Sequence, residues 1–327
     1  MTNTSKPLIS AVLAAYQSEQ WIAEAVDSIL GQTRPPDEVV VVDDGSTDGT
    51  AAILASYGDR IRVISQENSG YPVAMNRAIR ESRGDFVAPC GADDIWEPQK
   101  LEWQEEALTA HPELGVLFGH AVFFGRIESD HVRPHGAGVL DGQELLGDLF
   151  RDNVINMPSA LIRRELLDRV GWFTEGFLAD DFEFFFNCLR AGVAFHYEPR
   201  TLVRYRRHEH NITNSNRELH EAMLLVRSRN ADLIADRQLV STAMAEDLFR
   251  IGRELLDEDH PARARQAIRR SIRHARGRGP YWKARALGWL VLLSLPALVK
   301  DPIVHGLLGL RGATVGALEG NRRLSPS

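Results

Sequence analysis

The chain has 327 residues, 45 acidic against 38 basic side chains, a net charge of −7 and 44% hydrophobic residues. That composition excludes disordered and fibrous classes and gives length for one large domain plus an appendage, while the acidic balance argues against broad nucleic-acid binding. Two cysteines, Cys90 and Cys188, make no disulfide framework and favour a reducing cytosol; MTNTSKPLIS lacks the pattern of a secretory leader, so the sequons at Asn3 and Asn211 carry no weight.

LISAVLAAY, 8–16, is a short apolar run with strand character. Glu19 to Gln32 then places Trp21, Ile22, Ala25, Val26, Ile29 and Leu30 at helical spacing. DEVVVVDDGS, 37–46, reads as a fully buried strand ending in a turn, and Thr47 or Asp48 is expected to cap a helix carrying Ala52, Ile53 and Leu54. RIRVISQ, 60–66, reads as a third strand, Pro72 to Glu81 as a third helix, and GDFVAPC, 84–90, as a fourth strand. This alternation predicts an α/β fold, a parallel sheet covered by helices on both faces. A helix is expected to begin at Glu97-Pro98. GVLFGHAVFF, 115–124, is another strand, 125–140 a loop, Asp141 to Phe150 a short helix, and Met157 to Arg163 extended. A helix follows from Arg164 to Val170, then a Gly- and aromatic-rich loop over 171–177. Residues 180–192 read as a helix stopped by Gly192, and 193–199 as a strand closed by Pro199. From Arg217 onward the pattern is helical.

In such sheets ligands bind beyond the carboxyl ends of the strands, which picks out Ala15-Tyr16, Asp43-Asp44 and Gly91 to Asp94. No G-x-G-x-x-G or P-loop motif occurs, so the phosphates of a nucleotide need another partner, and a divalent cation is the obvious one. Asp43 and Asp44 suit an Asx-type turn, and also hydrogen bonding to a base or ribose. Asp93 and Asp94 suit a helix cap, or a Mg2+ or Mn2+ site completed by water and substrate phosphates. Asp180, Asp181 and Glu183 suit a helix N-terminus, yet three acids in four residues repel more than capping requires. A carboxylate shielded by Phe177, Phe182 and Trp172 has the raised basicity of a general base. YRRHEHNIT, 205–213, lacks the second ligand cluster that zinc needs and suits a phosphate-contacting loop; His131 and His135 read as solvated.

Together these segments resemble the family 2 glycosyltransferases of the GT-A fold, inverting enzymes that use nucleotide-sugar donors. The resemblance covers roughly the first two thirds of the chain. ISAVLAAYQSEQWIAEAVDSILGQT looks like the family's opening strand and helix, and VVVVDDGSTDGT like its D-D-G-S turn. QENSGYPVAMNRAIRESRGDFVAPCGADDIWEP looks like the approach to the D-x-D region, and YRRHEHNIT like the Y-R-x-H element. MPSALIRRELLDRVGWFTEGFLADDFEF looks like the acceptor-side segment before the E-D motif; Asp180, Trp172 and Ser159 within it are the candidate acceptor-side residues. The resemblance implies that Tyr16 and Asp44 contact the nucleoside with Asp43 shaping the turn, and that Asp93 faces the ribose or the metal. It further implies that Asp94 is the main ligand of a Mg2+ or Mn2+ on the diphosphate, that His208 helps hold that diphosphate or the metal, and that Asp181 is the catalytic base. Gly91 stands where L-D-x-D-D has its first acid, Met75 where A-R-N has Arg, and Asp180 where the E-D motif has Glu. The implied layout is a transferase domain over 1–216, with a nucleotide half to about 115 and an acceptor half after it, then a helical region over 217–327. Its partners would be a nucleotide-sugar donor and a glycan or lipid-linked acceptor, with no nucleic acid.

From His260 to Lys300 there are ten Lys and Arg and no acid. Residues 262–279 place Ala264, Ile268, Ile272 and Ala275 on one helical face among arginines, and 286–299 are uncharged but broken by Pro296. That stretch falls short of a span of about 20 residues. Two readings stand: a core helix beside a solvated basic helix, or an in-plane anchor on an anionic cytoplasmic leaflet, with Trp289 and the leucines in the interface. The anchor would make the protein cytoplasmic and peripheral on the membrane. Two other functions are weighed. A sugar-nucleotide nucleotidylyltransferase needs a Gly- and Arg-rich first loop that LISAVLAAYQSEQ lacks, and a non-catalytic nucleotide-sugar-binding scaffold is opposed by intact Asp94 and Asp181.

Overall fold

The structure, a computed structural model, describes residues 6–274 apart from 127, 132, 135, 210 and 212–215. The four valines of β2 (Glu38–Asp43) are all buried, which requires cover on both faces of their sheet. Val39 and Val41 lie with Ile9, Ala11, Leu13 and Ala15 of β1 (Ile9–Ala15) against Ile22, Ala25, Val26 and Ile29 of α1 (Ile22–Leu30). Strand alternation turns Val40 and Val42 to the other face, where α3 (Tyr71–Glu81) packs across β1 and β2 and buries Ala74, Met75, Ala78 and Ile79. Each buried Val, Ile, Leu or Met among them contributes about 1.5–3 kcal/mol.

β1 pairs in parallel with β2 and with β4 (Phe86–Gly91), and β2 with β3 (Arg62–Ser65). The sheet runs β3-β2-β1-β4-β9-β6-β10-β5, where β5 is the two-residue strand Ile95–Trp96. Here β9 (Leu161–Arg163) is antiparallel to both β4 and β6 (Val116–Gly125), and β10 (Phe195–Arg207) is parallel to β6. The reversed β9 therefore restores the direction, and the carboxyl ends of β1, β2, β4, β6 and β10 lie along one edge. That edge is where the site forms.

Several local expectations are corrected. Gly49, not Thr47 or Asp48, is the N-cap of α2 (Thr50–Ala55), although Asp48 Oδ1 accepts the Thr50 N–H at 3.0 Å. No helix starts at Glu97-Pro98. Ile95–Trp96 forms the short strand β5 on β10, the Glu97 amide donates to Leu202 O, and α4 (Lys100–Ala110) begins later with Gln99 as N-cap. The 125–140 loop holds two-residue strands, β7 (Ser129–Asp130) and β8 (Gly138–Val139), and Met157–Ser159 is a 3-10 turn ahead of β9. Pro199 does not close its strand. It falls between Glu198 and Thr201, where the β10–β6 ladder shifts register, so its missing N–H costs no ladder bond and β10 continues. The expected helices recur as α5 (Gly142–Arg151), α6 (Glu165–Val170) and α7 (Asp180–Arg190), with Gly192 at φ +68° beyond α7.

On α4, Lys100 is fully buried: its ammonium donates to Gln104 Oε1 (3.0 Å) and Ala160 O (3.2 Å) and lies 4.1 Å from the Trp96 ring centroid. Desolvation lowers its pKa to about 7. Cys90 and Cys188 are free and buried.

The chain divides into two units, which in described residues are 6–211 with 229–235, and 216–228 with 236–274. The second unit contains most of α8 (Asn216–Asn230), α9 (Arg237–Asp257) and α10 (Pro261–His274). Ala245, Phe249, Ile251 and Leu255 of α9 pack on Ala264, Ala267 and Ile268 of α10. A Cβ at Gly252 would lie 2.6 Å from Ile268 Cγ1, so glycine permits this approach. The apolar stripe of α10 is thus covered by α9, which opposes its use as an in-plane anchor. Ala275 and the 286–299 stretch lie outside the described residues. Among the described residues no helix is long and apolar enough to cross a membrane.

Candidate active site

At the end of β1, Tyr16 is 51% exposed. At the end of β2, Asp43 and Asp44 are buried and bonded inside the protein. Asp43 Oδ1 accepts the Ser46 N–H at 3.1 Å, closing the D-D-G-S turn. That turn needs Gly45, at φ +78°, because a Cβ there would lie 2.8 Å from Asn68 N. Asp44 accepts from Gln66 Nε2 (2.7 Å), Ser69 N (2.9 Å) and Gly70 N (2.9 Å). It therefore brackets the loop that launches α3 at Tyr71, and any nucleoside contact at Asp44 competes with those three donors.

At the end of β4 the two carboxylates diverge. Asp94 is 1% exposed, and its Oδ1 accepts the Arg206 N–H at 3.0 Å. Burial first and then the Asp93 charge push its pKa well above the usual range, against the hydrogen bond and charge of Arg206. The Asp93 side chain is 25% exposed, and His208 Nε2 lies 2.8 Å from its Oδ2. Asn211 Nδ2 donates to the same oxygen at 3.1 Å and to Arg206 O at 3.1 Å, while Asn211 Oδ1 accepts the His208 N–H at 2.6 Å. The Trp21 ring stacks on His208 with centroids 4.0 Å apart. Arg206 also donates to Asp93 O at 2.9 Å and pairs with Glu24 of α1. Asp93 is the more accessible carboxylate and Asp94 the buried one. Gly91 is also more than a missing acid, since a Cβ there would meet Asp94 Oδ2 at 2.5 Å and Asp93 Oδ1 at 2.9 Å.

Asp180 and Asp181 open α7, where the helix N-terminus favours negative charge. Desolvation raises Asp181 to about 6, with the Phe182 amide and Asn153 working against it. Asp180 is raised further, by desolvation and then by the charge of Asp181. The preceding loop is held on α3. Asn76 Nδ2 donates to Phe173 O (2.8 Å), the Phe173 N–H donates to Asn76 Oδ1 (3.2 Å), and Arg80 lies 4.6 Å from the Trp172 ring centroid. Trp172 therefore anchors the loop. Tyr71 lies among the two halves: beyond desolvation, Asp180, Asp181 and Asp94 all push its hydroxyl up, keeping it neutral. The acceptor-side expectation for Ser159 is corrected by burial. It is fully enclosed, donates to Asn156 O (2.7 Å) and accepts from Gly119 N (3.3 Å).

Residues 10–171 match the sequence family described as Glycosyl transferase family 2. The chain belongs to glycosyltransferase family 2. An uncharacterized glycosyltransferase of Rickettsia typhi is 28% identical over 226 residues, covering 65% of this chain and 68% of that protein. The putative teichuronic acid biosynthesis glycosyltransferase TuaG of Bacillus subtilis is 44% identical over 110 residues, 32% of this chain and 43% of TuaG. The crystal structure of S. aureus TarS 1-349 in complex with UDP-GlcNAc superposes with a TM-score of 0.65 at 18% identity, covering 91% of this chain and 92% of that one. The mannosyltransferase PcManGT of Pyrobaculum calidifontis, in complex with GDP-Man and Mn2+, gives a TM-score of 0.53 at 20% identity, covering 98% and 89%. These likenesses carry the fold, a GT-A arrangement.

For this glycosyltransferase the fit to a divalent cation can be judged from the donor set. Among the described residues no three His, Cys, Asp or Glu converge as a metal cage. What exists is a carboxylate and an imidazole side by side, with a second carboxylate adjoining and raised by burial and then by like charge. That set fits a hard cation with open positions that phosphate oxygens and water would fill. Trp21, Tyr71, Asn76 and Asn211 carry no charge, and composition alone does not single them out; only the A-M-N triplet hinted at Asn76.

Proposed function

We propose that this glycosyltransferase is an inverting hexosyltransferase moving a sugar from a nucleotide-sugar donor to a hydroxyl of a glycan or lipid-linked acceptor, at the cytoplasmic face of the membrane. The observation that carries the reading is the pairing, at one sheet edge, of the Asp93–His208 cluster with the two raised carboxyls that open α7. Tyr16, exposed at the end of β1, stacks on the nucleoside, with Asp43 and Asp44 shaping its pocket. Asp93 and His208, with Asp94 beside them, would hold a Mg2+ or Mn2+. That cation would neutralise charge on the leaving diphosphate.

Desolvation raises both α7 carboxyls, and the charge of Asp181 raises Asp180 further, which favours a single proton on the pair; the ionised partner is assigned to Asp181, which stands at the base position of the family's motif. Asp181 takes the proton of the acceptor hydroxyl. The acceptor oxygen bonds to the anomeric carbon as the carbon–oxygen bond to the diphosphate breaks, and the nucleoside diphosphate departs with that electron pair. Desolvation by the loop over 171–179 raises the basicity of Asp181. A panel that includes UDP-GlcNAc and GDP-Man with Mn2+ identifies the donor by thermal stabilisation. Asp181→Asn should keep that stabilisation and lose transfer and donor hydrolysis. Full turnover by Asp181→Asn refutes the assignment.

A further inference from the structure

The outward face of α10 has no task in the transfer reaction. Arg263, Arg269, Arg270 and Arg273 are exposed on it, and none forms an ion pair with any described residue. The opposite face is shut: Ala264, Ala267, Ile268 and Ser271 are buried, and Ser271 Oγ donates to Ala245 O of α9 at 2.5 Å. With Arg265, Gln266 and Ala262, three of them, Arg269, Arg270 and Arg273, border a depression of about 350 Å³. Arginines at spacings of three and four are neighbours on a helix and repel one another. The helix C-terminus favours only the last of them, Arg273. A face kept for solubility mixes signs; this face carries one.

We infer that the arginine face of α10 is a docking surface for an anionic lipid bilayer, held by charge and not by insertion of the helix. Insertion would require the stripe that α9 already covers. The sequence beyond α10 favours a bilayer, because 286–299 is uncharged and carries Trp289, a residue suited to the lipid–water interface. A lipid-linked acceptor would lie at the same surface; that clause alone rests on the proposed function.

The test uses the full chain and vesicles of phosphatidylglycerol with phosphatidylcholine, against phosphatidylcholine alone. Wild-type protein should sediment with the anionic vesicles only, and added salt should release it. Each arginine at the surface is worth roughly fivefold in affinity. The combined R263Q/R269Q/R270Q/R273Q variant should therefore lose on the order of several hundredfold, with unchanged donor hydrolysis. If that variant fails to fold, R269Q and R270Q singly should each lose about fivefold. Equal binding by the variants, salt-insensitive binding to neutral vesicles, or tighter binding to a duplex oligonucleotide than to anionic vesicles would each overturn the inference. Loss of donor hydrolysis with vesicle binding intact would count against the proposed function alone.

Discussion

Asn76→Ala should separate the loop that carries the base from the helix that holds it. Asn76 is 1% exposed and makes two bonds to the Phe173 backbone, at 2.8 and 3.2 Å. Left in place without them, the Phe173 N–H and C=O would each be buried unpaired, at about 1–3 kcal/mol apiece. The loop has a second route. Leaving α3 returns both groups to water and forfeits only the net worth of two bonds, about 0.5–1.5 kcal/mol each. It also exposes Phe173, now 3% exposed, for a further loss of about 1.5–3 kcal/mol. The two routes come to about 2–6 and about 2.5–6 kcal/mol, so the expected destabilisation is at least about 2 kcal/mol, read from urea unfolding near neutral pH. Donor hydrolysis should fall at least about tenfold because Asp181 loses its position. Donor-induced thermal stabilisation should persist, since the bonds of Asp44, Asp93 and His208 do not involve Asn76. A loss under about 0.5 kcal/mol with unchanged hydrolysis would refute the reasoning.

Asp181 sits above the ordinary carboxylate value, at about 6, so the native state holds more protons than the unfolded chain in that interval, and stability falls as pH rises through it. Asp181→Asn should flatten this slope in urea unfolding and stabilise the protein at neutral pH, while wild-type turnover should drop as pH falls below about 6. Lys100 has the opposite sign: its pKa is depressed to about 7, so stability should rise between about 7 and its ordinary value of 10.5, and Lys100→Met should remove that rise. Asp93→Ala and His208→Ala should each weaken Mn2+ binding, read from the Mn2+ paramagnetic resonance signal with nucleoside diphosphate present, by about 10–100-fold. In the same titration Trp21→Phe should keep most of the affinity and Trp21→Leu should not. An unchanged signal in Asp93→Ala would remove Asp93 from the metal site.

Much of the sheet was legible because its signal is local. Four valines in a row, and the apolar runs at β1, β4 and β6, admit little besides strands. The elements missed depend on distant partners. β5 has two residues and exists only as a neighbour of β10. Pro199 looked like a stop because the bulge that tolerates it belongs to the β6–β10 ladder. The same distance rule operates in the site. Asp93 and Asp94 are indistinguishable by composition, and what separates them is the Arg206 amide, 112 positions away. Asn76 and Phe173 are 97 positions apart. Ser159 sat in the right segment, but its hydroxyl is consumed by backbone on either side.

Asn211 begins the triplet Asn-Ile-Thr, an acceptor signal for N-linked glycans. Both N–H groups of its amide are in use, one on Asp93 Oδ2 and one on Arg206 O. A glycan on Nδ2 would leave one hydrogen where two are needed, beside the Asp93–His208 pair. The choice of expression host is therefore a chemical choice: protein routed through a glycosylating secretory pathway should bind Mn2+ more weakly than protein made in a bacterial cytosol, and Thr213→Val, which destroys the triplet without touching Asn211, should erase the difference.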